Sequence, residues 1–373
     1  MTMVVEAILA MAMIAYEVTS QSVIYVSKVD GNDSTTCGSQ NSPCYSISQA
    51  VSQAQFGSSI YLNSTNTTVS PYNCQPWTSY QKGIYITKAL SFIGGPSLAH
   101  VSCRKGQNWI VDGTQSPIPI DVNLTSIAFE NSRLHFIETT VAVKHCIFSN
   151  TETLVMNFTI VHRNLTFVSF KNVRFEANEA CILIASRSML SEIKQSISIN
   201  INDSVFHNNV LRRFPIWPSS LWTILDVDTS RPQLVDIQIR NSSFKSNGAS
   251  YLGMIDVQNQ LGYTEILIQD VHFTENGLVI SGRGNSLFLL SGSVVSFEIS
   301  GSKMKKNKQR LLSTYSTWAK ISVSYTTVNN FVNYREHGGI FSIQSNIIRL
   351  LIKHCFDSNG NNNGHGGLLY VSG

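Results

Sequence analysis

Asp226 and Asp228 stand two residues apart, with Asp236 ten residues after Asp226, and form the closest approach to a carboxylate cluster in the chain. A spacing of two puts both side chains on one side of an extended strand. Two carboxyl groups held on one surface are what glycosidic cleavage needs, one to protonate the leaving oxygen and one to activate water. A solvated strand edge explains the same spacing equally well. A second candidate is the segment Arg212-Arg213-Phe214-Pro215-Ile216-Trp217-Pro218-Ser219-Ser220-Leu221-Trp222. Its two prolines forbid a regular central strand, so it should loop out. Exposed Trp217 and Trp222 rings could stack on sugar faces beside Arg212 and Arg213. The competing reading packs both indoles back as a satellite core. A basic run, Lys303, Lys305, Lys306, Lys308 and Arg310, could meet phosphate or heparin but reads first as a solvated turn.

Other reactive types look structural. His145 and His354 both sit in Lys-His-Cys, and equivalent places in a repeat point to a repeated structural role. No nucleophile motif, phosphate-cradling glycine loop or metal-ligand constellation stands out, so no cofactor and no metal are expected. A net charge of +4 with 13% charged residues does not point to nucleic acid. The polar surface must come from Ser, Thr, Asn and Gln, which suit stacked strands.

Export is expected from three features. The apolar stretch Ala7 to Tyr16 is too short to span a bilayer and precedes small residues before a cut near Gln21, although Glu6 borders it and no Lys or Arg precedes it. Cys37 and Cys44 flank a Gly/Pro-containing loop easily closed by a disulfide, and Cys74 and Cys103 are the next pair; Cys146, Cys181 and Cys355 remain. Sequons stand at Asn32, Asn63, Asn66, Asn123, Asn157, Asn164, Asn202 and Asn241. No membrane span is expected within the chain, and any anchor would lie beyond Gly373.

The elements that must position these residues follow from one recurring phrase. Alternating apolar residues lead into Phe-x-x-Asn at Phe175–Asn178, Phe206–Asn209, Phe244–Asn247, Phe273–Asn276 and Phe356–Asn359, with a variant at Met304–Asn307. The intervals are 31, 38, 29 and 31 residues to Met304, then 52 to Phe356, which fits a degraded rung around Val328 to Asn333. Imperfect copies surround Leu134 and Phe148. Pairs such as Ile199-x-Ile201 and Ile237-x-Ile239 have period two, so each strand has one apolar face that only a stacked neighbour can bury. The phenylalanines should stack inside. Each following Asn should adopt the left-handed corner conformation and bond to the Asn above and below. Ile47, Ala50, Val51 and Ala54 share a helical face, so a short helix should cover the open first rung.

Two resemblances attach to these residues. Phe-x-x-Asn followed by Gly338-Gly339-Ile340 or Gly366-Gly367-Leu368 resembles the repeats of bacterial polymorphic outer-membrane adhesins. The opening Ile24-Tyr25-Val26, Gly31-Asn32-Asp33, Cys37-Gly38, Pro43-Cys44, Ile47 and Ala50-Val51 is similar to the N-terminal cap of animal secreted right-handed β-helix proteins of the pectin-lyase-like superfamily. Gly364-His365-Gly366 matches a polygalacturonase triplet, but that family's other motifs are missing and the triplet overlaps the repeat.

The expected fold is therefore all-β, a single-stranded right-handed parallel β-helix (solenoid) with a short N-terminal capping helix. The expected organisation is a signal peptide over 1–20, a cap with disulfide loop and helix over 21–65, and a β-helix over 66–373. Its last residues read as the start of another rung, so the solenoid is expected to be incomplete at its C-terminus. The expected function is a non-enzymatic extracellular scaffold for adhesion or glycan and matrix recognition. The alternative is an extracellular polysaccharide lyase or glycoside hydrolase.

Overall fold

The computed structural model describes residues 22–74, 83–103, 107–118, 120–151, 154–161, 165–186, 196–209, 224–229, 233–248, 253–277, 286–307, 310–329, 332–333, 340–358, 361–362 and 369–372. The expected signal peptide over 1–20, the Arg212–Trp222 segment, Asn164, Lys308, Asn359, His365 and the two Gly-Gly pairs lie outside them.

Alternation of apolar and polar residues makes strands, and each strand pairs in parallel with the strand one coil later. Every coil contributes to three faces. Face A runs from Gly83–Ile86 through Asn108–Asp112, Arg133–Ile137, Leu154–Ile160 and Ala180–Ser186 to Leu225–Thr229. Face B runs from Val23–Val26 and Ser59–Asn63 to Ser196–Asn202 and Leu234–Arg240. From Gly253–Gln269 onward the two faces fuse into the long strands Ser286–Ser300, Arg310–Ser324 and Phe341–Lys353. Face C is an 11-stranded sheet of short strands such as Ser243–Lys245. The register of these sheets establishes a parallel β-helix solenoid. Leu369–Ser372 opens one further coil, paired with Phe341–Gln344.

The core is a set of columns. On face C, Phe129, Phe148, Phe175, Phe206, Phe244 and Phe273 stack with centroids 4.6–5.0 Å apart. Tyr72 and Val101 precede them and Met304 and Val328 follow, so the degraded rung exists as Thr327–Asn329. Two expectations need correction. The copy before Phe148 is Phe129, because Leu134 lies on face A beside Trp109 and Met156. The backbone pairs Phe356 with Thr327 and Asp357 with Val328, so Phe356 stands one position before the aromatic column. The cause is one residue fewer between His354 and Phe356 than between His145 and Phe148.

Beside the rings, the asparagines build a continuous ladder. The Asn209 Oδ1 accepts from the Asn178 N–H at 3.0 Å and from its Nδ2 at 3.1 Å. Its own Nδ2 donates to the Phe175 carbonyl and to Asn247 Oδ1. The pattern repeats through Asn247, Asn276 and Asn307, all buried. The left-handed corner, however, is not at these asparagines. It falls one residue earlier, at Ala177, Asn208, Ser246, Glu275 and Lys306, with φ between 53° and 57°. A second left-handed corner precedes each short strand, at Asn172, Asp203, Asn241 and Asp270. Residue types as unsuited as Glu275 and Lys306 tolerate this because each corner N–H bonds to the next coil, Glu275 N to Lys305 O and Lys306 N to Asn329 O, both at 2.9 Å.

The helix Ile47–Gln53 packs on the first strand, with Ser46 Oγ accepting from Gln49 N at its N-terminus. Ile47, Ala50, Val51 and Ala54 are all buried, as their spacing predicts. Disulfides join Cys37 to Cys44 and Cys74 to Cys103. Two bridges fit an oxidising compartment.

Truncating Phe244 to Ala should cost about 3–5 kcal/mol, read as a lower midpoint in chemical denaturation. Asn247→Ala should cost on the order of 2–4 kcal/mol, because it strands the Phe206 carbonyl and the Asn209 N–H in the interior. A loss at Asn247 no larger than that of an exposed serine would tell against the ladder.

Candidate functional site

The carboxylates are brought together by the register of face A. On the strand Leu225–Thr229, Leu225 and Val227 enter the core, so Asp226 and Asp228 share the opposite side. The next coil sets Asp256 directly beside Asp226 and Gln258 beside Asp228. Adjacent strands lie about 4.8 Å apart, so Asp226 and Asp256 form a stacked acid pair with Asp228 diagonal to it. Asp236 does not join them. It belongs to face B, between Ser198 and Glu265. Spacing within one strand could reveal Asp226 and Asp228, but Asp256 becomes visible only once the coil length is known.

The pair is sealed. Asp226 is 2% and Asp256 0% exposed, whereas Asp228 is exposed. Among the described residues neither carboxylate oxygen of Asp226 has a hydrogen-bond partner, nor does Oδ1 of Asp256; Gln258 Nε2 donates to Asp256 Oδ2 at 3.4 Å. Burial, reinforced by Asp256 and Asp228, pushes the Asp226 carboxyl up to about 8. Burial also raises Asp256, to about 6, with Gln258 opposing and Asp228 adding. Near neutral pH the stack therefore holds a proton on Asp226. A protonated acid beside an ionised one is the charge state of acid–base catalysis. A catalytic acid must reach its substrate, however, and neither oxygen of Asp226 meets solvent.

The exposed side of the same region is different. The column of Asp228 continues through Gln258, Ser291, Tyr315 and Gln344, one residue per coil. Tyr315 is 51% exposed. Carboxylate, amide, hydroxyl and aromatic ring thus follow one another at the strand spacing.

Most other candidates serve the coil. His145 and His354 are left-handed corners, with φ of 53° and 50°. Cys146 and Cys355 stand where other coils carry Ser204, Ser242 and Ser302, and their thiols point to backbone carbonyls as those hydroxyls do. Cys146 and Cys181 are buried and unbridged, and Cys355 is half-buried. In the basic run, Lys303, Lys305 and Lys306 are exposed, with Lys306 near Glu275, but Arg310 is buried rather than solvated. Asn32, Asn66, Asn123 and Asn241 are exposed, and Asn63, Asn157 and Asn202 half-buried.

Because Asp226 and Asp256 hold their protons more tightly folded than unfolded, the folded chain binds more protons between the ordinary carboxyl value of 3.8 and about 8. Stability contributed by their neutral forms should be full below about pH 4 and lost as pH rises through the folded values. Asp226→Asn should flatten this dependence and raise stability at pH 8 by on the order of 1–3 kcal/mol, measured as the thermal midpoint at pH 5 and pH 8. An unchanged difference between the two pH values would place the titration elsewhere.

No protein-family model matches the chain, and no curated protein does. Three solved structures found similar to it are the ORF18 protein of Geobacillus virus E2, the GH136 lacto-N-biosidase of Eubacterium ramulus and a rhamnogalacturonan lyase. The viral protein is 8% identical over 85% of this chain and 56% of its own, with a TM-score of 0.40. The lacto-N-biosidase is 9% identical over 98% of this chain and 70% of its own, with a TM-score of 0.40. The lyase is 13% identical over 92% of this chain and 87% of its own, with a TM-score of 0.34. The chain thus spans just over half the length of the viral protein.

Proposed function

We propose that this chain is a non-catalytic, secreted or cell-surface β-helix scaffold that recognises neutral glycans along one outer column. The observation that carries the reading is the column Asp228, Gln258, Ser291, Tyr315 and Gln344, which presents sugar-compatible groups to solvent coil after coil. Amides, hydroxyls and a carboxylate exchange hydrogen bonds with sugar hydroxyls, and the Tyr315 ring offers a plane for sugar C–H bonds. Asp228 disfavours uronic acids by like charge, so neutral chains fit better than pectin-like ones. Two disulfides and the sequons on exposed corners support an extracellular setting. The segment with Arg212, Arg213, Trp217 and Trp222 is a second candidate sugar contact, on its residue types alone.

A second reading, an extracellular polysaccharide lyase or glycoside hydrolase, has one observation in its favour: Asp226, Asp228 and Asp256 meet on one face. The two readings separate in solution. On an array of immobilised neutral and acidic oligosaccharides, the chain should bind neutral structures, and Tyr315→Ala or Gln258→Ala should each weaken binding about tenfold. Binding unaffected by both changes would overturn the proposed column. With polygalacturonate and with a neutral oligosaccharide, no new reducing ends and no unsaturated product should form. Turnover abolished by Asp226→Asn would establish the enzymatic reading in its place.

A further inference from the structure

The outer surface of face B carries a charge order that reads the same when reversed with opposite signs. In the five successive strands Leu234–Arg240, Tyr263–Gln269, Val294–Ser300, Trp318–Ser324 and Ile347–Lys353, alternate residues share the outer side; in the first four the residues between them are buried, Ser296 is covered by its outer neighbours, and Ile347–Lys353 has no buried residue. One outward column is Asp236, Glu265, Ser296, Lys320 and Arg349. Two acids come first, a small hydroxyl sits in the middle, and two bases come last. The neighbouring column is Leu234, Tyr263, Val294, Trp318 and Ile347, of which Leu234 is 43%, Tyr263 36% and Ile347 58% exposed. It is apolar or aromatic throughout.

This arrangement is costly for an isolated chain. Asp236 and Glu265 are stacked at strand spacing, as are Lys320 and Arg349, and like charges directly opposite one another on a sheet destabilise it. Within the chain Gln238 Nε2 donates to Asp236 Oδ2 at 3.3 Å, but among the described residues no ion pair offsets either stack. Among the described residues the ion pairs are Arg174–Glu176, His207–Glu176 and Lys306–Glu275, none of them on this surface. The nearest opposite charge to Glu265 in its own column is Lys320, two coils away.

We propose that this face docks on a second copy of the same chain across a two-fold axis parallel to the strands and centred on Val294 and Ser296. Such an axis reverses the stacking direction while keeping each column over itself. Asp236 then meets the second copy's Arg349, and Glu265 its Lys320. Tyr263 meets Trp318, Leu234 meets Ile347, and Val294 and Ser296 meet themselves. Every residue of the two columns gains a complement. Glu298 faces its own copy on the axis one column further out, and Arg240 faces Lys353 at the rim; both like-charge contacts oppose the pairing, the second weakened by solvent screening. Five strands of seven residues give a patch roughly 24 by 20 Å, so the pair covers on the order of 1,000 Å² in total. That is the lower end of a specific interface. The column through Asp228 and Tyr315 lies on the other half of each coil and stays open in the pair, so the assembly would present its proposed ligand surface twice.

Charge exchange tests this directly. Sedimentation velocity of the full chain should give twice the chain mass at micromolar concentration and low salt, with dissociation promoted by salt. Glu265→Lys and Lys320→Glu should each weaken the dimer at least tenfold, and the double variant should restore it. Asp236→Lys with Arg349→Asp provides an independent exchange should one of the first variants fold poorly. Far-ultraviolet circular dichroism of each variant should match that of the parent chain, so that a lost dimer is not a lost fold. A parent chain that is monomeric under these conditions overturns the proposal. So does a dimer indifferent to all four reversals, or one that neither double exchange restores.

Discussion

Asn178, Asn209, Asn247 and Asn276 each span the gap above and the gap below with one side chain. Asn209 takes two hydrogen bonds from Asn178 and gives one to the Phe175 carbonyl and one to Asn247. No amide group is left over, which matters because an unpaired polar group in a dry interior costs more than a formed bond returns. The ladder fixes where each coil must turn, and the aromatic column beside it fixes the distance between coils. The left-handed corners depend on both. Glu275 and Lys306 would not choose that conformation, but a ladder on one side and a coil-to-coil hydrogen bond on the other leave no alternative.

A solenoid ordered in this way assigns function by column rather than by motif. Residues adjacent on one strand point to opposite sides, while residues thirty positions apart touch. Asp226 and Asp256 illustrate the consequence. Thirty residues apart in sequence, they stack at strand spacing, and among the described residues three of their oxygens have no hydrogen-bond partner. Their burial separates them from Asp228, which faces solvent at the head of a polar column. One face thus carries a charged pair closed to ligands and, beside it, a row of groups open to them.

The repeat, the inward phenylalanines, the capping helix and both disulfides were legible in the sequence because each depends on spacing within one phrase or one loop. What depended on exact coil length was not. Leu134 and Phe356 are apolar and near the expected places, but a shift of a few residues moves Leu134 to another face and a shift of one moves Phe356 out of the aromatic column. The Ser column escaped notice because Cys146 and Cys355 occupy two of its places, and thiols there do the work of hydroxyls. The misplaced corner has a similar origin. Asn is the residue type most tolerant of that backbone, so the phrase drew the turn onto it, whereas in the structure its side chain is needed for the ladder.

The 11 strands of face C, at about 4.8 Å each, make a rod roughly 48 Å long whose backbone hydrogen bonds run along its axis. A pull between the two ends therefore loads those bonds lengthwise and in series. The weakest gap bears the whole load. Along the ladder from Thr151 to Asn307 every gap is reinforced by an amide, and the stacked rings run beside it as far as Phe273. Beyond Met304 the ring column continues as Val328 and Asp357, and the stacked rings there are Tyr325 and His354, 5.0 Å apart at the neighbouring corner. Under tension the rod should part outside the stretch from Thr151 to Asn307, coil by coil, while that middle stays wound: a stiff spring with softer ends.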